Sequence, residues 1–204
     1  MFNELPFSQA CENNKQPILE QLTKWLVNEQ CVLEIGSGTG QHSVYFSEQL
    51  PHIRWQPSDQ PIYLENIKRR IELAKLNNLQ FPVALDVTKP WPTLNEQVHS
   101  VFTANTLHIM SKTMVEALFR GLGTLLEQSG CQLIIYGPFN YQGKYTSESN
   151  ANFDALLAEQ DSQRGIRDIE WVTQLASAQG FSLVDDVTMP ANNRLLRFIR
   201  KTSK

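Results

Sequence analysis

Three glycines at alternate positions, Gly36, Gly38 and Gly40, follow the apolar run Cys31-Val-Leu-Glu-Ile35. They lead into His42-Ser-Val-Tyr-Phe-Ser-Glu-Gln-Leu50, which has the pattern of an amphipathic helix. Glycine is required where the backbone takes a positive φ or approaches a ligand closely. A buried strand, a glycine loop and a helix N-terminus, in that order, make a binding site for a nucleotide-type cofactor. A dinucleotide fingerprint, G-x-G-x-x-G, would place its third glycine at position 41, where Gln41 stands instead. A phosphate-binding loop fails too, because neither Gly-Lys-Ser nor Gly-Lys-Thr follows. The plain alternative is a tight strand-to-helix turn with no ligand.

Other residues capable of chemistry fall where strands should end. Asp59 stands about 20 residues past the glycine loop, where an acid can accept hydrogen bonds from both hydroxyls of a ribose. An Asx turn or a helix cap before Pro61 is the alternative, and the glycine context favours the ribose. Glu34, the acid inside the first strand, needs a partner for its carboxylate. His108, between Leu107 and Ile109, is a candidate general base or a packed, hydrogen-bonded core residue. Beyond Gly137 comes a polar and aromatic stretch with Tyr136, Phe139, Tyr141 and Tyr145, and then Arg164 and Arg167 on either side of Gly165. Aromatic walls with an arginine would suit a small anionic or planar ligand, and an ordinary surface loop is the alternative.

The elements that must position these residues follow from periodicity. Helices are expected over Asn14–Leu26 (with Pro17 in the first turn), Gln41–Leu50, Pro61–Leu76, Lys112–Leu126, Ser149–Gln160 and Asp168–Gln179. Strands are expected over Cys31–Ile35, Ile53–Asp59, Val83–Asp86, Ser100–Asn105 and Cys131–Tyr136. Two more, Phe181–Met189 and Asn193–Arg200, form a hairpin around Pro190-Ala-Asn-Asn193. Strands alternating with helices imply an α/β, three-layer, doubly wound sheet, mostly parallel, with seven strands and a C-terminal antiparallel hairpin. In such a sheet, ligands bind beyond the C-terminal strand ends.

At 204 residues, with no linker, repeat or low-complexity tract, the chain is expected to form one domain over 1–204. Eighteen basic against 21 acidic side chains, net −3, supply no field for nucleic acid. Arg194, Arg197, Arg200, Lys201 and Lys204 are the densest basic group, explained by a solvated strand and tail. Cys11, Cys31 and Cys131 are too few and too irregular for a disulfide framework, so reduced thiols and a cytoplasmic setting are expected. The first residues lack the pattern of a signal peptide, and no run is long enough to span a membrane. His42, His52, His99 and His108 share no metal-ligand spacing with the cysteines, so no metal is expected.

The pattern Glu34-x-Gly36-Ser37-Gly38-x-Gly40 resembles motif I of the class I S-adenosylmethionine-dependent methyltransferases, whose Rossmann-like sheet matches the expected element order across essentially the whole chain. The resemblance implies S-adenosyl-L-methionine as cofactor, held by Glu34, Gly36, Ser37, Gly38, Gly40 and Asp59. It also implies that Asp86 contacts the adenine amine and that Val87 walls the base. Turn or cap formation is the other reading of Asp86, and a structural anchor the other reading of Glu34. Asn105 would hold the methionine end or a substrate amine. With His108 it is the candidate catalytic residue, and Tyr136, Phe139, Tyr141 and Arg164 are the candidate pocket. Asn105-Thr-Leu-His108 departs from the Pro-Pro-aromatic pattern of enzymes that methylate base amines, which favours a small-molecule acceptor.

Five blocks resemble an uncharacterised branch, methyltransferase-like protein 26 and its bacterial relatives. They are Glu12-Asn-Asn-Lys-Gln-Pro-Ile18, Leu33–His42, Trp55-Gln-Pro-Ser-Asp59, Asn105-Thr-Leu-His-Ile109 and Tyr136-Gly-Pro-Phe139. In that frame Asn13-Asn14-Lys15 folds over the cofactor mouth, with Asn14 or Lys15 at the methionine carboxylate. Helix capping by Asn13 or Asn14 is the alternative. A cofactor-binding regulatory or partner protein without methyl transfer is the rival function. A nicotinamide oxidoreductase is disfavoured by Gln41 and the terminal hairpin. Oligomeric state is not encoded in any pattern.

Overall fold

The computed structural model describes residues 5–27 and 31–201. Lys204 lies outside them, as do the first four residues of the stretch inspected for a signal peptide. The fold is mixed α/β, built on a largely parallel seven-stranded sheet of order β3-β2-β1-β4-β5-β9-β8. These strands are β1 (Cys31–Ile35), β2 (Arg54–Asp59), β3 (Val83–Ala84), β4 (Ser100–Ala104), β5 (Gln132–Gly137), β8 (Phe181–Met189) and β9 (Asn193–Arg200). β2 pairs in parallel with both β1 and β3, whereas β9 pairs antiparallel with both β5 and β8. The expected parallel sheet with a C-terminal hairpin is therefore what the chain forms. By compactness the chain divides into two units, with the boundary inside β4 between Phe102 and Thr103.

In the first unit, α1 (Gln9–Trp25), α2 (Gln41–Gln49) and α3 (Leu64–Ala74) accompany β1, β2 and β3. All five residues of β1 are buried, as a strand covered on both faces requires. Phe46, Trp55 and Phe102 are fully buried, with ring centroids 5.4 to 5.8 Å apart. Clusters of this kind supply much of a core's apolar burial. His42 stacks on Phe46 at 5.2 Å, and its Nε2 lies 2.6 Å from Asn14 Oδ1.

The first helix departs from expectation. It begins at Gln9, with Ser8 as N-cap accepting from the Cys11 amide, so neither Asn13 nor Asn14 caps it. Pro17 consequently lies inside the helix rather than in its first turn. The polar stretch from Gln9 to Asn13 has no apolar repeat by which to be seen. The expected helix from Pro61 also divides, into a 3-10 turn (Pro61–Tyr63) and α3.

In the second unit, α4 (Lys112–Leu125) and α5 (Glu148–Gln160) start at serine caps, Ser111 and Ser147, and α6 spans Ile169–Ala178. β5 is buried throughout. The stretch after Gly137 is more than a loop: β6 (Phe139–Asn140) pairs in parallel with β7 (Arg167–Asp168) as a small second sheet. Two-residue strands are too short to leave a periodic signature.

Candidate functional site

The glycine loop is built as its residue types demand. Gly36, Gly38 and Gly40 have φ of 75°, 55° and 75°, in the left-handed region that side chains disfavour. The amides of Gly36 and Ser37 both donate to the Ser58 carbonyl at 3.0 Å, and the Ser58 amide donates to Ser37 Oγ at 3.2 Å. The loop is thereby sewn to the end of β2. The Gly38 amide donates to Asp59 Oδ2 at 2.7 Å, and the Gln60 amide to Oδ1 at 2.7 Å. Burial raises the Asp59 pKa, against the lowering effect of these two amides.

Glu34 lies beneath the loop with only 2% of its surface exposed. Its Oε2 accepts from Trp55 Nε1 at 2.7 Å and from the Ser43 hydroxyl, while its carbonyl accepts from Ser58 Oγ at 2.7 Å. Burial pushes its pKa up to about 7, against the hydrogen bonds of Ser43, Trp55 and Ser37. One carboxyl thus joins the glycine loop, α2 and β2. This is the geometry of an anchor.

Gln41 and Arg70 have a structural role that the sequence did not reveal. Gln41 Oε1 accepts from the Ser8 amide (2.6 Å) and from Thr39 Oγ1 (2.9 Å). Its Nε2 donates to Glu12 Oε1 (2.6 Å) and to the Ser8 carbonyl (3.4 Å). Arg70 donates to the carbonyls of Thr39 (2.7 Å) and Pro6 (2.5 Å). The N-terminal arm is therefore fastened to the glycine loop by two side chains. The nearest signal was Gln41 in the place of a fingerprint glycine. Lys15 is paired with Glu12 and lies 4.8 Å over the Tyr45 ring.

Asp86 forms a turn, its Oδ1 accepting from the Thr88 amide (2.9 Å) and hydroxyl (2.7 Å). Those bonds lower its pKa. Val87 is buried, and the Leu85 amide donates to the Asp59 carbonyl at 2.9 Å. Hydrogen bonds thus join Glu34, Gly36, Ser37, Gly38 and Asp59, with Asp86 and Val87 on the adjoining turn.

In the second unit Asn105, directly after β4, is in a left-handed conformation, φ 58°, with its amide donating to the Tyr136 carbonyl at 2.9 Å. Such a conformation in a residue other than glycine costs energy, and asparagine tolerates it best. His108 is buried, edge-on to Phe153 with centroids 5.3 Å apart. Burial, then Arg167 and Arg164, hold its pKa down at about 4. Arg167 is 6% exposed and donates to the carbonyls of Leu107, Met110 and Gln163, clamping the loop that carries His108.

The four candidate pocket residues have different surroundings. Tyr136 and Phe139 are buried, at 3% and 1% exposure, in the sheets. The Tyr141 hydroxyl donates to Asp186 Oδ2 at 2.8 Å, and Arg194 lies over its ring, so it is engaged with the hairpin. Arg164 donates to Gln160 Oε1 at 3.1 Å, while its Nε is buried without a hydrogen-bond partner. The ring that meets His108 is Phe153, a helix residue whose sequence context carries no signal of that contact. Among the described residues no helix is long and apolar enough to cross a membrane.

Solved structures sharing this fold include an O-methyltransferase family protein from Burkholderia thailandensis (TM-score 0.78, 13% identity, 93% of this chain and 57% of that one). An O-methyltransferase family 2 protein from Planctomyces limnophilus, in complex with apigenin, matches at TM-score 0.78 and 16% identity, over 94% of this chain and 57% of that one. Human N-acetylserotonin methyltransferase, in complex with SAM, matches at TM-score 0.77 and 14% identity, over 95% and 53%. The chain thus spans little more than half the length of these proteins. The family model described as protein of unknown function (DUF938) matches residues 5–200. This chain belongs to that family, DUF938.

Proposed function

We propose that the chain is an S-adenosylmethionine-dependent methyltransferase acting on a small-molecule acceptor in the cytoplasm, of the branch that includes methyltransferase-like protein 26. The observation that carries this reading is the glycine loop with three left-handed glycines, its tip hydrogen-bonded to Asp59. The likeness of fold to methyltransferases, one of them in complex with SAM, supports it.

The residues present fit the cofactor. Each Asp59 oxygen accepts one backbone amide and keeps a further lone pair for a ribose hydroxyl. A Cβ built at the exposed Gly38 meets nothing within 4 Å, so the loop tip is open to a ligand. Asp59 would hold the ribose, the glycine loop would follow the ribose and methionine portion, and Asp86 with Val87 would receive the adenine. Glu34 and Ser37 act as positioning residues beneath the loop.

S-adenosylmethionine supplies a methyl group already activated on a sulfonium. The chain's own residues then have to align an acceptor and exclude water. A His108 side chain that protonates only near pH 4 is neutral at physiological pH and can accept a hydrogen bond from the acceptor. Titration calorimetry with S-adenosylmethionine, and separately with its demethylated product, tests the reading. Micromolar binding of either supports it, and a folded sample that binds neither overturns it.

A further inference from the structure

The N-terminal arm, residues 5–8, and the first turn of α1 have no core of their own. None of residues 5–13 is buried, and Phe7 is 66% exposed; the first buried side chains are those of Asn14 and Ile18. What fastens the arm is polar, and it converges on one residue of the glycine loop, Thr39. The Thr39 hydroxyl donates to Gln41 Oε1, the same oxygen that accepts from the Ser8 amide. The Thr39 carbonyl accepts from Arg70 Nε at 2.7 Å, and Arg70 Nη2 donates to the Pro6 carbonyl at 2.5 Å. One planar guanidinium therefore bridges loop and arm.

Gly40 makes room for that bridge. A Cβ there would lie 3.4 Å from both Arg70 Cδ and Ile67 Cγ2, so the arginine stem runs against the loop backbone. The loop is consequently held from two sides. Gly36, Ser37 and Gly38 are bonded to the end of β2, whereas Thr39 is bonded to the fasteners of the arm. The first attachment belongs to the sheet. The second can let go while the core stays intact, because residues 5–13 contribute no buried side chain to it.

Order in this loop bears on any ligand it holds. Glycine loses more backbone freedom on being fixed than any other residue, and the loop has three. A loop already fixed by its arm spares the ligand part of that cost. We infer, on the methyltransferase reading above, that the arm is a strap: fastened through Arg70 and Gln41 it orders the glycine loop, and released it leaves a loop that binds S-adenosylmethionine more weakly. Arg70 and Gln41 are positioning residues in this scheme, acting through Thr39. Linkage is reciprocal, so bound cofactor holds the arm down by the same factor by which the arm tightens the cofactor.

Amide hydrogen exchange of the full chain, alone and saturated with the demethylated product of S-adenosylmethionine, tests this, with the β1 amides as internal reference. Without ligand, the double variant Arg70→Gln, Gln41→Ala should speed exchange at Gly38 and Gly40 as well as at Ser8, roughly fivefold or more, and leave β1 unchanged. In the parent the product should slow exchange at Ser8, and calorimetry should find the double variant's affinity for it lower by the same factor. Thr39→Val, which removes only the hydroxyl link, should show the same pattern at smaller size. A merely structural pair of side chains would leave Ser8 exchange indifferent to the product. Loop amides that exchange as in the parent while Ser8 exchanges freely overturn the inference, and so does bound product that leaves Ser8 unprotected. In both cases the binding itself keeps the cofactor reading. Faster loop exchange in the double variant, with no binding of the product to the parent, supports the strap and defeats the methyltransferase reading alone.

Discussion

The Gly38 amide and the Asp59 carboxylate are joined by a 2.7 Å hydrogen bond, which ties the tip of the glycine loop to the end of β2. Replacing Asp59 by alanine removes this acceptor together with the one used by Gln60. S-adenosylmethionine affinity should fall by roughly 1.5–3 kcal/mol, the range for hydrogen bonds to a charged group. Calorimetry on the folded variant checks this, and unchanged affinity would remove Asp59 from the site.

Gln41→Ala should release the N-terminal arm. The wild-type amide group accepts two hydrogen bonds and donates two, from a position only 7% exposed. A loss of roughly 1–3 kcal/mol is expected from the stranded partners. Hydrogen exchange at the Ser8 and Glu12 amides should accelerate more than exchange in β5. Uniform acceleration, or none, would show that the arm is held by something else.

Glu34 should impose a pH dependence of definite sign. Its folded pKa, about 7, lies above its ordinary value of 4.5. The unfolded chain therefore binds fewer protons between those values, and stability falls as pH rises through them. His42 and His108 act oppositely: with folded pKa values near 4 against an ordinary 6.5, they cost stability as pH falls through that window. Comparing Glu34→Gln with the parent isolates the carboxyl. Relative to the parent, the variant should gain on the order of 3 kcal/mol from pH 4.5 to 7 and then level off. Urea unfolding at a series of pH values measures it, and a gap that stays constant refutes it.

Arg167→Met should destabilise by roughly 2–4 kcal/mol, because it strands three carbonyls that one planar fork now satisfies. Arg167→Lys should recover only part of this, since an ammonium cannot reproduce the fork. A denaturant midpoint indistinguishable from the parent's would mean that solvent already serves those carbonyls.

Much of this organisation was legible from residue types. The glycine spacing pointed to the loop because left-handed backbone leaves few alternatives to glycine, and the hairpin strands were found at the expected limits because Pro190 and Asn193 mark the turn. The bond between Asp59 and Gly38 depends on a β2 register that residue types do not specify. The start of α1 was missed because Ser8 precedes a polar turn. The clamping roles of Arg70 and Arg167 leave no mark in the sequence because their partners are backbone carbonyls, which any sequence possesses, and Gln41 meets Ser8 and Glu12 only once the arm has folded back. The bond of Tyr141 to Asp186, distant in sequence, has no local signal.

Of the four tryptophans, Trp55 alone is fully buried, and its indole N–H is bonded to the Glu34 carboxyl. The chain therefore has an optical reporter built in beneath its glycine loop. Its emission should be blue-shifted and shielded from iodide. Because the indole touches the buried acid itself, changes in that emission would register the charge state under the loop without any added label.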